Sequence, residues 1–330
     1  MKYDVIIIGA GLAGATCGYL FRKQDKKVLI IEKESIKKKD KLCGGLLTDK
    51  SYKLFNELYP DNKLKFEEFD HFYIINNNKR VKLKDSFHSI YRKNLDDYAL
   101  KEYLKLDGEI LDEVEDYKLD KENNKITIGR KSYKYDILIG ADGVFSPLRK
   151  KVTGRMQDRV FAYEFNGPIK DDLYIFFFKN FKGYGWIIPN KKNSVIGIGD
   201  YSKGNDIHKV FDKFLKDIDV PKKDVRGAFL PTGRDIYLRN KNIFFIGDAS
   251  GVISPILGEG IYYAMLTAKL VSENPNKNYT SSLKQVFKRF DKEKIYSKYA
   301  YNESTRNLIF DHSHNKLIHK GIYHFIRKHL

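Results

Sequence analysis

Apolar positions along the chain follow two patterns. In the first, nearly uninterrupted runs at 3–8, 27–31, 136–139 and 243–246 predict short parallel strands covered on both faces. In the second, apolar and polar residues alternate between polar turns. This predicts antiparallel strands at 72–75 and 79–84 around the Asn76-Asn77-Asn78 turn, then at 161–165, 173–178, 185–189 and 194–199, the last two joined through 190–193. An apolar helix is predicted at 261–266, and the Lys- and Arg-rich stretch 281–330 reads as largely helical. Segments of the second kind interrupt segments of the first. A pocket is therefore expected at the junction of two domains.

The residues that carry chemistry stand at the ends of the parallel strands. The first strand runs into Gly9-Ala10-Gly11-Leu12-Ala13-Gly14. Gly9 permits a sharp turn, Gly11 leaves room for a pyrophosphate against the backbone, and Gly14 lets the next helix pack closely on the sheet. The helix start is expected to offer N–H groups to the phosphates. The second strand ends at Glu32, whose carboxylate suits the two hydroxyls of an adenosine ribose. The glycine pattern alone is weak; its place between strand and helix, with an acid closing the next strand, makes it a dinucleotide site.

Two later strands also end in Gly/Asp turns, Ala141-Asp142-Gly143 and Gly247-Asp248-Ala249-Ser250-Gly251. Pro255, Gly258, Glu259 and Gly260 follow the second, and a helix opens at Ile261. Asp248 can hydrogen-bond a ribityl chain, while the Gly258 and Gly260 backbone and the helix start can lie against phosphate or the edge of a flavin. Such spacing suits a cofactor longer than NAD, so FAD is expected. Asp142 and Asp248 also have a plainer reading as turn formers. The expected fold class is α/β: a Rossmann-like FAD-binding domain (1–65, 90–155 and 240–278) interleaved with a mostly antiparallel β-sheet substrate domain (66–89 and 156–239), plus a basic helical C-terminal segment (279–330).

Composition narrows the partners. With 61 Lys+Arg against 43 Asp+Glu, the 330-residue chain carries a formal charge of +18, which concentrates anionic ligands or lipid surfaces without choosing among them. No nucleic-acid reading module is present. Two cysteines fit a reducing compartment. Neither a signal peptide nor an apolar run of about 18 residues is found. The expectation is a cytoplasmic protein with at most peripheral contact on the inner face of the cell membrane. His312, His314, His319, His324 and His329 lack metal-ligand spacing and read as surface residues, so no metal is expected. The stretch 317–326 has apolar area beside Lys320 and Arg327; it can rest on an anionic membrane or pack on the protein.

In the interrupting segments, Cys43 sits in Leu42-Cys43-Gly44-Gly45. A thiol beside two glycines can approach a ligand closely and donate a proton, or be inert packing. Cys17 reads as core. Trp186, the single tryptophan, stands beside glycines and offers an apolar wall for a planar ring or lipid, or a core contact. Tyr174, Phe176, Phe177 and Phe178 alternate in direction, so not all can line a pocket.

Together GAGLAG at 9–14, Glu32, KLCGG at 41–45, Arg92 and Asp96 in YRKNLDDYAL, ADG at 141–143, GYGWIIPNKKNSVIGIG at 183–199, GDASG at 247–251 and PILGEGI at 255–261 resemble the flavoprotein monooxygenase (para-hydroxybenzoate hydroxylase-like) superfamily and, within it, the geranylgeranyl reductase family. The resemblance implies that the glycine loop, Glu32 and Lys33 bind the ADP portion and that Arg92 approaches the pyrophosphate or ribityl region. Gly247 and Asp248 would hold the ribityl phosphate, and Pro255, Gly258, Glu259, Gly260 and Ile261 would border the isoalloxazine. Asp142-Gly143 would support flavin and nicotinamide handling. Cys43-Gly44 would lie beside the flavin, with Gly45, Phe176, Tyr184 and Trp186 around a hydrocarbon pocket.

The implied activity is saturation of carbon–carbon double bonds in a prenyl lipid, with Cys43 or water as proton source. Only one Rossmann fingerprint is visible, so NAD(P)H or another electron donor would bind transiently. The rival enzyme is an FAD-dependent hydroxylase of an aromatic or polyketide molecule. A third reading is a non-catalytic flavin-bearing interaction protein.

Overall fold

The computed structural model describes residues 1–201, 206–276 and 278–312. In chain order the strands are β1 (Lys2–Ile8), β2 (Val28–Ile31), β3 (Leu46–Thr48), β4 (Glu67–Asn76), β5 (Lys79–Ser89), β6 (Glu109–Leu111), β7 (Lys118–Asp120), β8 (Lys125–Ile128), β9 (Lys131–Gly140), β10 (Arg159–Gly167), β11 (Tyr174–Phe177), β12 (Gly183–Asn190), β13 (Asn193–Asp200), β14 (Arg226–Pro231), β15 (Arg239–Asn240) and β16 (Ile243–Phe245). The helices are α1 (Leu12–Arg22), α2 (Asp49–Leu58), α3 (Arg92–Leu104), α4 (Pro147–Thr153), α5 (Ile207–Asp217), α6 (Ile261–Glu273), α7 (Asn278–Ser282), α8 (Lys284–Ala300) and α9 (Glu303–Asp311). Two compact units result. One comprises Met1–Lys41, Lys93–Arg159 and Pro231–Lys288; the other comprises Leu42–Arg92, Val160–Leu230 and the chain from Arg289.

The first unit is built on a sheet ordered β15-β16-β9-β1-β2-β6, with β8 joined to β9 and β7 to β8. From β16 to β6 the neighbours are parallel. Their central stretches, Val5–Ile8, Val28–Ile31, Ile137–Ile139 and Ile243–Phe245, are continuously apolar because both faces are covered. Ile6, Ile8, Leu29, Ile31 and Leu138 point into a cluster with Tyr117, Ile126 and Leu148, while Val5, Ile7, Val28 and Ile30 are equally buried on the side that the alternation leaves. Parallel strands share one direction. Their C-terminal ends, Gly9, Glu32, Gly140 and Ile246, therefore lie along one edge.

The second unit holds a sheet ordered β14-β10-β13-β12-β11-β4-β5-β3. Pairs β3/β5, β4/β5, β11/β12, β12/β13 and β10/β13 are antiparallel, and β4/β11 is parallel. The expected mostly antiparallel sheet is present, and several strands extend past the apolar runs because charged residues occupy the solvent-facing positions. Its alternation sends Ile187, Ile196 and Ile198 under α5, against Phe211 and Phe214. Ile188, Val195, Phe72 and Leu83 go to the opposite face, where Phe310 of α9 packs.

A buried arginine anchors α9 to this sheet. Arg306 donates from Nε to Asn76 Oδ1 (2.7 Å), from Nη2 to the Phe178 carbonyl (2.9 Å) and from Nη1 to the Ala300 carbonyl (3.1 Å). Asn302 caps the helix by accepting from Thr305 N at 2.9 Å. Helices α8 and α9 realise the first part of the basic C-terminal segment. His314, His319, His324, His329 and the membrane-or-core stretch 317–326 lie outside the described residues. Among the described residues, no helix is long and apolar enough to cross a membrane.

Candidate functional site

At the C-terminal edge of the first unit's sheet, the three motif glycines have different tasks. Gly9 holds φ at +106°, and a Cβ there would lie 2.4 Å from the Ala141 carbonyl oxygen. A Cβ on Gly14 would lie 1.9 Å from the oxygen of Gly9. Both are demanded by packing. Around Gly11, by contrast, a Cβ would meet nothing within 4 Å, so this stretch of backbone is open to a ligand.

Glu32 is 3% exposed and knits the edge together. Its carboxylate accepts from Ala10 N at 2.7 Å, Lys33 N at 2.9 Å and Glu34 N at 3.1 Å, and it pairs with the Lys39 ammonium. Burial opposes ionisation, but the Lys39 charge and the N–H donors outweigh it and hold the carboxyl below its ordinary range. Lys33 contributes its backbone N–H here, while its ammonium turns to Glu34 at 3.1 Å. The N–H of Leu12 is taken by Asp96 Oδ1 at 3.0 Å. Two N–H groups of the loop and helix start expected to face phosphate, those of Ala10 and Leu12, are thus committed to carboxylates. Asp96 stands 84 residues along the chain, and no local signal gives it this role.

On the same edge, Gly247 N donates to Thr267 Oγ1 at 2.9 Å, and the Asp248 carboxylate pairs with Lys41 at 2.6 Å. The following turn closes on itself: Gly258 N donates to the Ser254 carbonyl (3.0 Å), Ser254 N donates to the Glu259 carbonyl (3.2 Å), and Gly258 holds φ at +63°. Buried Pro255 lies inside this turn. Gly260 caps α6, which opens at Ile261, and a Cβ on Gly260 would sit 3.6 Å from Asp248 Oδ1. A buried network unseen in the sequence supports the turn. Gln157 Nε2 donates to the carbonyls of Asp248 and Val144, both at 2.8 Å, and Gln157 Oε1 accepts from Arg149, whose Nη2 reaches Asp235 at 2.7 Å.

Asp142 takes the turn-forming role. Its carboxylate accepts from Ser146 Oγ at 2.6 Å and Leu148 N at 2.9 Å, which organises the start of α4, while Gly143 provides φ of +78°. Burial raises its pKa to about 6, against the partial opposition of those two hydrogen bonds. The folded state holds this proton more tightly than the unfolded chain does. That contribution is complete below about pH 4 and is lost as the pH rises through about 6. The urea midpoint of the Asp142→Asn protein is therefore expected to fall less between pH 4 and 6 than that of the wild type. Parallel pH dependences would remove Asp142 as the titrating group.

In the second unit, Cys43-Gly44-Gly45 lies tightly against the sheet. Gly45 (φ +68°) accepts from Ile90 N at 3.0 Å, and a Cβ there would lie 1.9 Å from the Ile90 oxygen. A Cβ on Gly44 would come within 2.5 Å of Ile188 Cδ1 and 3.7 Å of Trp186 Nε1. Buried Arg92 places Nη1 3.9 Å from Cys43 Sγ. The Trp186 indole lies on Gly197, where a Cβ would meet the ring at 2.4 Å, and its centroid is 5.8 Å from that of Tyr184. Trp186 Nε1 has no hydrogen-bond partner among the described residues.

Phe176 does not join this group. It pairs with Gly185 on β12 and so takes the other face, where its ring lies 4.8 Å from Phe214 beneath α5. Strand alternation decides this, and the parity relative to Trp186 depends on a register that sequence does not display. Cys17 is buried in α1, as expected. Among the described residues, no cluster of three or more His, Cys, Asp or Glu is placed to hold a metal.

The donor set suits an FAD: open backbone at Gly11, a carboxylate at the end of β2, and a second carboxylate beyond β16 next to the Gly260 cap. Residues 7–36 match the NAD(P)-binding Rossmann-like domain family. An uncharacterized protein of Methanosarcina barkeri is 29% identical over 323 residues, covering 90% of this chain and 79% of its own. The geranylgeranyl diphosphate reductase of Rhodobacter capsulatus is 24% identical over 299 residues, covering 83% of this chain and 75% of its own. Among solved structures, a geranylgeranyl bacteriochlorophyll reductase-like protein from Thermoplasma acidophilum superposes with a TM-score of 0.78 at 16% identity, over 94% of this chain and 91% of that one. The fold and the relatives point to an FAD-dependent oxidoreductase with a Rossmann-like domain, similar in sequence to geranylgeranyl and digeranylgeranylglycerophospholipid reductases.

Proposed function

We propose that the protein reduces carbon–carbon double bonds in the prenyl chain of a hydrophobic lipid. The observation that carries this reading is the Cys43-Gly44 turn seated against Trp186, with Arg92 Nη1 3.9 Å from the thiol. On this reading the Cys43 thiol next to that turn serves as proton donor near an apolar aromatic wall, as addition across an unactivated alkene requires. The relatives named as geranylgeranyl reductases support it.

Reduced FAD, when bound, supplies the hydride. The glycine loop, Glu32 and Asp248 hold and orient that cofactor, and a nicotinamide or another donor would visit transiently. Trp186, seated over Gly197 and Gly199, and Tyr184 beside it position the hydrocarbon and keep water away. Cys43 Sγ gives its proton to one alkene carbon. The Arg92 guanidinium then faces the thiolate that remains.

The test is anaerobic incubation of dithionite-reduced holoenzyme with digeranylgeranylglycerophospholipid, followed by mass spectrometry. Gains of two hydrogens per step are expected. An oxygen-dependent gain of a hydroxyl group, with no saturation, would establish the hydroxylase instead. In the same assay Cys43→Ala is expected to retain FAD and to lose about 10²- to 10⁴-fold in saturation rate, the usual range for a general acid. Unchanged turnover by the fully flavinated variant would take the thiol out of the mechanism.

A further inference from the structure

We propose that Gln157 is a positioning residue that fastens the turns after β9 and β16 to each other and so fixes where Asp248 presents its carboxylate to the cofactor. The side chain is buried and belongs to neither turn. Its Nε2 donates to the carbonyl of Val144, one residue past Gly143, and to the carbonyl of Asp248, both at 2.8 Å. Its Oε1 accepts from Arg149 Nη1 at 2.9 Å. One side chain thus spans the two Gly/Asp turns that close neighbouring parallel strands.

The surroundings of this side chain select an amide. Two backbone carbonyls and one guanidinium converge on it, so the position needs two donors and one acceptor on a neutral group. A carboxylate has no donor for the carbonyls, and an ammonium has no acceptor for Arg149. Arg149 is fixed in turn, with Nη2 2.7 Å from Asp235 Oδ1 and 3.1 Å from the Asp235 carbonyl.

The 247–251 turn is gripped along its whole length. The Gly247 carbonyl accepts from Ser250 Oγ at 2.6 Å, and the Asp248 carbonyl accepts from Gly251 N at 3.1 Å as well as from Gln157. The Ala249 carbonyl faces Arg149 Nη1 at 3.4 Å, and the Ser250 carbonyl accepts from Tyr237 N at 2.9 Å. With the carbonyls of residues 247 to 250 all held, the Asp248 carboxylate goes where this framework points it. Gln157 also reaches the other turn, beside the Asp142 carboxylate that organises α4, so a shift in either turn is passed to its neighbour. The inference rests on the reading that Asp248 holds FAD, and not on the reaction the flavin then carries out.

The experiment is a double-mutant cycle on FAD affinity, read by quenching of flavin fluorescence as FAD is added to folded apoprotein. Gln157→Glu keeps the size of the side chain and the acceptor for Arg149 but removes both donors. It is expected to bind FAD about 10- to 100-fold more weakly, the scale of two hydrogen bonds lost. Asp248→Asn is then introduced into both backgrounds. In the Gln157→Glu background it is expected to weaken binding by at least about threefold less than in the wild type, because the carboxylate there is already displaced. A side chain that only stabilises the fold would leave the two effects equal, so equal effects overturn the proposal. Wild-type affinity in the Gln157→Glu protein, with Asp248→Asn still weakening binding, overturns it as well. If neither substitution changes affinity, Asp248 does not hold the cofactor, and the reading beneath the proposal falls with it. Should Gln157→Glu give no folded protein by thermal melting, Gln157→Asn, one methylene shorter and unable to span both carbonyls, goes through the same cycle and the same outcomes decide.

Discussion

Gly14→Ala is expected to give protein without bound flavin and with a fold weakened by about 3 kcal/mol, the upper end of what overpacking costs. The added methyl would lie 1.9 Å from the Gly9 carbonyl oxygen and 3.2 Å from Ala141 Cβ. The nearest obstacle is backbone, so no rotamer change relieves it. The α1 start has to lift from the β1 turn, and the same movement pulls Leu12 N from Asp96 and Ala10 N from Glu32. Gly11→Ala supplies the contrast. Its methyl meets nothing within 4 Å, so its thermal unfolding should match the wild type while FAD affinity falls, because the methyl occupies backbone that the cofactor would approach. Thermal melts and flavin absorbance of the two purified variants check this. A Gly14→Ala protein that is yellow and as stable as wild type would show that the β1–α1 turn has slack the geometry does not reveal.

Sequence displayed the first unit's edge because its parts are local. A buried run followed at once by Gly or Asp says both where a strand lies and what stands at its end, as at Ile8–Gly9, Ile31–Glu32 and Ile246–Gly247–Asp248. What supports those ends was not visible. Asp96 on Leu12, Lys41 on Asp248 and Gln157 on the Asp248 carbonyl are long-range pairs between residues whose composition is ordinary for a surface. Only folding brings them to one edge.

The second unit's sheet was legible as strands, but its faces were not. Trp186 and Phe176 both read as pocket residues until pairing with Gly197 and Gly185 sent them in opposite directions. Tyr201 and Tyr301 show the same limit from the other side. They are 100 residues apart, lack any motif, and become neighbours through a strand register and an arginine that pins α9.

Glu32 should show the second large effect. Its two oxygens serve three backbone N–H groups and Lys39, and all of these belong to the loops proposed to hold the cofactor. Glu32→Ala leaves those donors without an acceptor, at about 1–3 kcal/mol for each one that stays buried, so both apoprotein stability and FAD affinity should drop. Glu32→Gln is the sharper probe. One oxygen remains for Lys33 or Ala10, but an amide N–H now confronts the other donor, and about 10- to 100-fold weaker FAD binding is expected from one lost charge-assisted bond. The sign with pH follows from the depressed carboxyl: its contribution is present above the ordinary carboxylate range and disappears as acid protonates it. Wild-type affinity, followed by quenching of flavin fluorescence, should therefore weaken on acidification, and the Glu32→Gln protein should lose that part of the slope. Equal FAD affinity for wild type and Glu32→Gln would mean that the backbone donors organise the loop without help from the carboxylate, and that ribose is recognised elsewhere along the edge.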